Sequence, residues 1–210
     1  VDKRVSAPKE GSSLNIIPAY QPFDSIFDPT FQEALQACRS CYLGAHRQKA
    51  VSGVGSKEAS IAVITDLPLK SEEQEGKPIE PQLRPLLERA FNQVKIPQSS
   101  LYYTPFIKCR PGELMDVTET EQEACSYFLA REMGEIAPAI LFLLGRNVTK
   151  LLLKKNLPIS ALRGEVHNVK IGEKRYRAVV SHSPNMSTKR AHYKRNFWQD
   201  LKFLRSALGE

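Results

Sequence analysis

Cys38, Cys41, Cys109 and Cys125 are the only cysteines in the chain, and their placement constrains the fold more than any other feature. A Cys-x-x-Cys pair puts two thiolates within reach of one metal ion or cluster. Sixty-seven residues separate Cys41 from Cys109 and fifteen separate Cys109 from Cys125, so the other two reach the same place only if the fold returns them. The set reads as one metal centre stapling the middle of the chain. Two disulfides in a secreted protein are the competing reading of four cysteines.

The chain does not need such a staple merely to fold. At 210 residues and 41% apolar it can bury a core as one domain, or at most two small ones. No apolar run approaches eighteen residues and no charged leader precedes a hydrophobic segment. The sequence therefore predicts neither a membrane span nor a signal peptide, and a cytoplasmic location is expected.

Thirty basic against twenty-three acidic residues give a formal charge of +7, which favours anionic partners without naming one. The distribution says more. Lys174, Arg175 and Arg177 form one basic group; Lys189, Arg190, Lys194, Arg195, Lys202 and Arg205 form another, opposed locally only by Asp200. The C-terminal third is thus the expected electropositive face, suited to phosphates along a nucleic acid or else simply solvated.

Residues 1–30 contain Pro8, Gly11, Pro18, Pro22 and Pro29 and read as an extended arm, followed by one domain over residues 31–210. Residues 31–38 have the spacing of a short helix that delivers Cys38 and Cys41. A buried strand is expected at 60–65, then the turn Asp66-Leu67-Pro68 and a polar loop at 70–77. Helices are predicted at 81–94 and 191–208, each with an apolar face, and at 119–136, which carries Cys125; Gly145 and residues 147–153 fit a strand-to-helix turn. Strands are predicted at 101–107 and 139–144, with Pro105 marking an edge, a bulge or the end of its strand. The segments 166–169 and 176–180 pair as a hairpin. Strands separated by helices predict a three-layer α/β/α sandwich on a largely parallel sheet.

In this order the elements resemble the iron-sulfur uracil-DNA glycosylases of family four, over roughly residues 35–208. The resemblance is carried by Cys38-Arg39-Ser40-Cys41, Val51-Ser52-Gly53-Val54-Gly55, Lys108-Cys109-Arg110-Pro111, Glu121 with Cys125, Leu162-Arg163-Gly164, His167, His182 and Trp198-Gln199-Asp200-Leu201. It implies the uracil-DNA glycosylase fold and a [4Fe-4S] cluster on Cys38, Cys41, Cys109 and Cys125, with zinc as the alternative. It also implies that DNA is a partner.

The segments that carry the family's chemistry differ. Its Gly-Glu-Ala-Pro-Gly loop is here Thr65-Asp66-Leu67-Pro68-Leu69, where Asp66 can take the place of the water-activating carboxylate but the glycines are gone. Otherwise Asp66 caps the turn that follows it. The family's aromatic platform for the flipped base falls on Ile79, and its asparagine falls on Pro105, which has no side-chain donor. Its His-Pro loop becomes Ser181-His182-Ser183-Pro184-Asn185-Met186. There His182 can donate to a carbonyl and Met186 can act as an apolar wedge in DNA, with Lys189, Arg190, Lys194 and Arg195 beside them.

A second resemblance is to the psi subunit of the bacterial DNA polymerase III clamp-loader complex, a glycosylase-like fold without the activity. It rests on Asp66-Leu67-Pro68, Thr104-Pro105 and Phe197-Trp198-Gln199-Asp200-Leu201. By that likeness Leu14, Ile16, Ile17 and Tyr20 of the arm are candidate anchors for a clamp-loader partner, or for the chain's own domain. The expected function is therefore a non-catalytic glycosylase-fold protein of DNA replication or repair, acting through DNA or protein contacts. The alternative is a divergent DNA glycosylase that hydrolyses an N-glycosidic bond using Asp66 and His182. That version predicts a base-sized pocket beside Asp66, whereas the silent version lets Leu67, Leu69, Ile79 and Pro105 fill it.

Overall fold

The structure, a computed structural model, describes residues 24–113 and 116–209. Most of the expected arm, including Leu14, Ile16, Ile17 and Tyr20, lies outside the described residues. The elements in chain order are α1 (Pro29–Ala37), α2 (Tyr42–His46), β1 (Val54–Gly55), β2 (Ile61–Thr65), α3 (Lys70–Glu75), α4 (Arg84–Gln93), β3 (Leu101–Pro105), α5 (Glu119–Ile136), β4 (Ile140–Leu144), α6 (Arg146–Leu153), β5 (Val166–Ile171), β6 (Lys174–Ser181), α7 (Pro184–Lys189) and α8 (Ala191–Leu208).

Six strands form one sheet in the order β1-β3-β2-β4-β6-β5. The inner four are mutually parallel, while β1 and β5 join the two edges antiparallel. The inner strands are apolar because both faces are covered. Along β2, Ala62 and Ile64 point into one core layer with Phe31, Leu35, Phe128 and Met133, under α1, α5 and α6. Ile61 and Val63 point into the other, with Leu87 and Phe91 of α4 and Phe197, Leu201 and Leu204 of α8. The expected three-layer sandwich is therefore the one observed.

Local signals explain several boundaries. Thr118 Oγ1 accepts from Glu121 N–H (3.3 Å) while Thr118 N–H donates to Glu121 Oε2 (2.8 Å), a reciprocal cap that starts α5. Pro105 ends β3 opposite Thr65, where its missing N–H costs the ladder nothing further along. Ser25 Oγ and Ile26 N–H donate to Glu135 at 2.5 and 2.7 Å, and Ile26 is buried, so this entry to the domain docks on α5.

Two segments expected as loops are helical. Residues 70–75 form α3, started by Leu69 N–H donating to Glu72 Oε2 at 2.7 Å. Residues 184–189 form α7, with Pro184 in its first turn, where a missing N–H is harmless.

Candidate functional site

Parallel strands bring their carboxyl ends to one edge of the sheet, here Thr65, Pro105, Leu144 and Ser181. A cavity of about 90 Å³ opens there between the ends of β2 and β4, α3, the 79–83 segment and the start of α7. Asp66, Leu67, Leu69, Glu72, Ile79 and Asn185 line it. Ile79 is buried and held at φ +64°, a region a β-branched residue rarely adopts. Pro105 is buried and pairs with Thr65, which lines the cavity, but is not itself part of the lining.

Asp66 has a definite structural task. Its Oδ1 accepts from Val148 N–H in the first turn of α6 (3.1 Å), and Asn147 and Leu67 also bond to it. Burial pushes its carboxyl above the usual range, and these hydrogen bonds only partly pull it back. The carboxylate thus caps a helix start 82 residues away as well as bonding the first residue of the turn that follows it. Gly145 is the partner constraint: at φ +125°, a Cβ there would lie 2.4 Å from Asp66 Oδ2. Asp66→Ala is expected to lower stability by about 1 kcal/mol, the usual cost of losing a cap, as read from denaturant midpoints.

His182 lies at the exit from β6 and does not line the cavity, although Ser183, Pro184 and Asn185 do. Its Nε2 is buried without a hydrogen-bond partner among the described residues, and its ring meets Tyr193 edge-on at 4.6 Å. Burial, then Arg163 and His192, depress its pKa, which favours the neutral ring. Asp66 and His182 follow the ends of β2 and β6, the two strands that flank β4. Met186 is half-buried on α7, while Lys189, Arg190, Lys194 and Arg195 are exposed on α7 and α8 and the turn between them.

The cysteines correct an expectation. Among the described residues no group of three or more His, Cys, Asp or Glu side chains is arranged to hold a metal ion, so neither the [4Fe-4S] cluster nor zinc fits. The four thiols do border one cavity, but it measures only about 10 Å³, barely room for a water. Their sulfurs engage protein groups instead. Arg47 Nη1 donates to Cys109 Sγ at 3.3 Å, Lys108 N–H to Cys125 Sγ at 3.1 Å, and Cys38 Sγ to Ser40 Oγ at 3.6 Å. Burial pushes the Cys109 and Cys125 thiols up to about 11 and about 12 and also raises Cys41. All four are free, which also excludes the two-disulfide alternative here.

Three groupings were not foreseen. Glu72 and Glu80 add carboxyls to the Asp66 cavity; a Glu in the first turn of α3 was the only signal. Arg163 Nε donates to both oxygens of Asp200 (2.9 and 2.8 Å) and Ser181 Oγ to Asp200 Oδ2 (2.5 Å), tying α8 to the end of β6. Lys108 and Glu132 form an ion pair with no exposed surface. Charged residues far apart in sequence give no sign of pairing.

Sheet order and the cavity at the strands' carboxyl ends together define a protein of DNA-glycosylase architecture. The chain belongs to the Uracil DNA glycosylase superfamily, whose sequence profile matches residues 52–202. It is similar to the type-4 uracil-DNA glycosylase of Saccharolobus solfataricus, 36% identical over 124 residues, which are 59% of this chain and 57% of that protein. The type-4 enzyme of Archaeoglobus fulgidus is 25% identical over 180 residues, covering 84% of this chain and 90% of its own. A DNA polymerase of Bacillus phage SP01 is 28% identical over 162 residues, 76% of this chain but 17% of the polymerase. No described helix is long and apolar enough to cross a membrane.

Proposed function

We propose that this protein is a non-catalytic member of its superfamily that binds DNA at the mouth formed by the cavity, α7 and the start of α8. The observation that carries the reading is the engagement of Asp66 Oδ1 by the N-terminus of α6, a structural task for the residue that stands where the family's loop has its water-activating carboxylate. Cavity size supports it. A dry cavity of about 150 Å³ is known to hold benzene, and the space here is about 90 Å³, with Leu67, Leu69 and Ile79 in its wall. Met186 as wedge and Lys189, Arg190, Lys194 and Arg195 as phosphate contacts supply the DNA-binding side.

The expected result is no release of uracil or hypoxanthine from single- or double-stranded oligonucleotides at enzyme excess. Turnover that Asp66→Asn abolishes would overturn the proposal and establish the second reading, a divergent glycosylase using Asp66 and His182. What favours that second reading is that a concave space does persist beside Asp66.

A narrower form of the proposal is a psi-like subunit in a clamp-loader complex. Its support is that two of the three stretches resembling psi adjoin, since Thr65, just before Asp66, is paired with Pro105, and that one relative is a phage DNA polymerase.

A further inference from the structure

We infer that the bound DNA continues past the mouth along the outer face of α8, with Lys202 and Arg205 contacting phosphates outside the footprint of the cavity. This rests on the DNA-binding reading above and adds to it a direction and a length.

Residues on α8 separate into two stripes. Phe197, Leu201 and Leu204 face the sheet. Lys194, Trp198, Lys202 and Arg205, spaced four, four and three apart, run along the flank beside that stripe, where Trp198 packs against the same core and the three basic side chains reach the surface. The three basic residues are exposed and Trp198 is half-buried, with Lys202 Nζ 5.5 Å from its ring centroid. Asp200, the helix's only acidic residue, is buried and engaged by Arg163 and Ser181. Among the described residues Lys194, Arg195, Lys202 and Arg205 make no ion pair, not even with Glu88 on α4, which packs beside α8. The outer face is therefore of one sign.

The N-terminal end is arranged against its own stability. The positive end of a helix favours acids, yet the first turn of α8 has none and no side-chain cap; it holds His192 and Lys194 behind Arg190. A local rule broken without internal compensation is what a binding surface produces.

The Asp200–Ser181 bond fixes the placement. It sets residue 200 level with the carboxyl end of β6, so residues 191–199 extend toward the mouth and 201–208 return alongside the sheet. Lys194 to Arg205 spans about 16 Å at 1.5 Å per residue, comparable to about five nucleotides of a duplex strand at 3.4 Å each. Either a single strand or one strand of a duplex presents that row of phosphates.

The test is fluorescence anisotropy of the full chain with 6- and 20-nucleotide DNA, single-stranded and duplex, over a range of salt. Lys202→Gln/Arg205→Gln is expected to weaken binding of the 20-mer about tenfold and to reduce its log–log salt slope by about 1.4 for a single strand or about 1.8 for duplex. The 6-mer should be unaffected and the melting temperature nearly unchanged, because both side chains are exposed. Whichever form shows the reduced slope is the form that lies along α8. Lys189→Gln/Arg190→Gln should weaken both lengths. If that variant weakens binding while Lys202→Gln/Arg205→Gln leaves the 20-mer slope unchanged, the track along α8 is wrong and DNA binding at the mouth stands. If the unmodified protein shows no salt-dependent DNA binding, both fall.

Discussion

Replacing Lys108 by methionine is expected to lower unfolding free energy by about 3–5 kcal/mol, because it strands a buried charge. Lys108 Nζ lies 2.5 Å from Glu132 Oε2, and neither side chain has exposed surface. Glu132 also accepts from Thr104 Oγ1 at 2.9 Å and from Tyr102 OH at 3.3 Å, and Thr104 Oγ1 is itself a close partner of Lys108 Nζ. Gly53 closes over this group, since a Cβ there would come within 2.1 Å of Tyr102 OH and 2.8 Å of Glu132 Oε1. Removing the ammonium leaves the carboxylate without its counter-charge in a space that excludes water. The double change Lys108→Met/Glu132→Leu should restore part of the loss, but not all, because two hydroxyls then lack their acceptor. Guanidinium unfolding with a double-mutant cycle measures both. A loss below about 1 kcal/mol for the single variant would mean that water reaches the pair.

Stability is expected to fall by about 3 kcal/mol as pH rises from below 4.5 to above 7, through Glu72. Burial at the cavity wall pushes this carboxyl from 4.5 up to about 7; the Leu69 and Ile79 backbone N–H groups oppose the rise, Glu80 adds to it and Arg84 offsets it. Between those pH values the folded protein holds a proton that the unfolded chain has released. Raising pH therefore favours unfolding until the folded-state group has also ionised, after which the loss is complete. Burial also raises Asp66 and Asp200, which act in the same direction, whereas Glu135 is lowered by Ser25 and Ile26 despite some desolvation and acts oppositely. Glu72→Gln keeps an acceptor for Leu69 N–H and should remove most of the slope, gaining stability at pH 8 but not at pH 4. A variant with the parent's pH profile would assign the slope to other groups.

The long helices were legible from sustained apolar spacing. Residues 119–136 and 191–208 were bounded as observed, the second by its Phe197, Leu201 and Leu204 stripe, while the Thr118–Glu121 cap that starts the first was not part of the expectation. Periodicity failed for α3, whose buried residues are Glu72 and Glu73, so its inward face looks polar in sequence. The strand-end position of Asp66 was legible, but its partner was not, since Val148 is brought to it only by packing α6 against the sheet edge. The cysteines mark the opposite failure. Their spacing predicted a shared ligand set, and the chain does bring them to one small cavity, yet the thiols are occupied by Arg47, the Lys108 amide and Ser40 rather than arranged around an ion.

The two antiparallel borders of the sheet bear on how the molecule meets its neighbours. On one side the sheet stops at β1, only two residues long, and on the other at β5, whose outward positions include Val166, Asn168 and the charged Lys170. A short border and a charged one are both poor templates for a strand from another chain. Growth of the sheet by edge-to-edge pairing is thereby discouraged, and a second macromolecule is left to engage helices and loops.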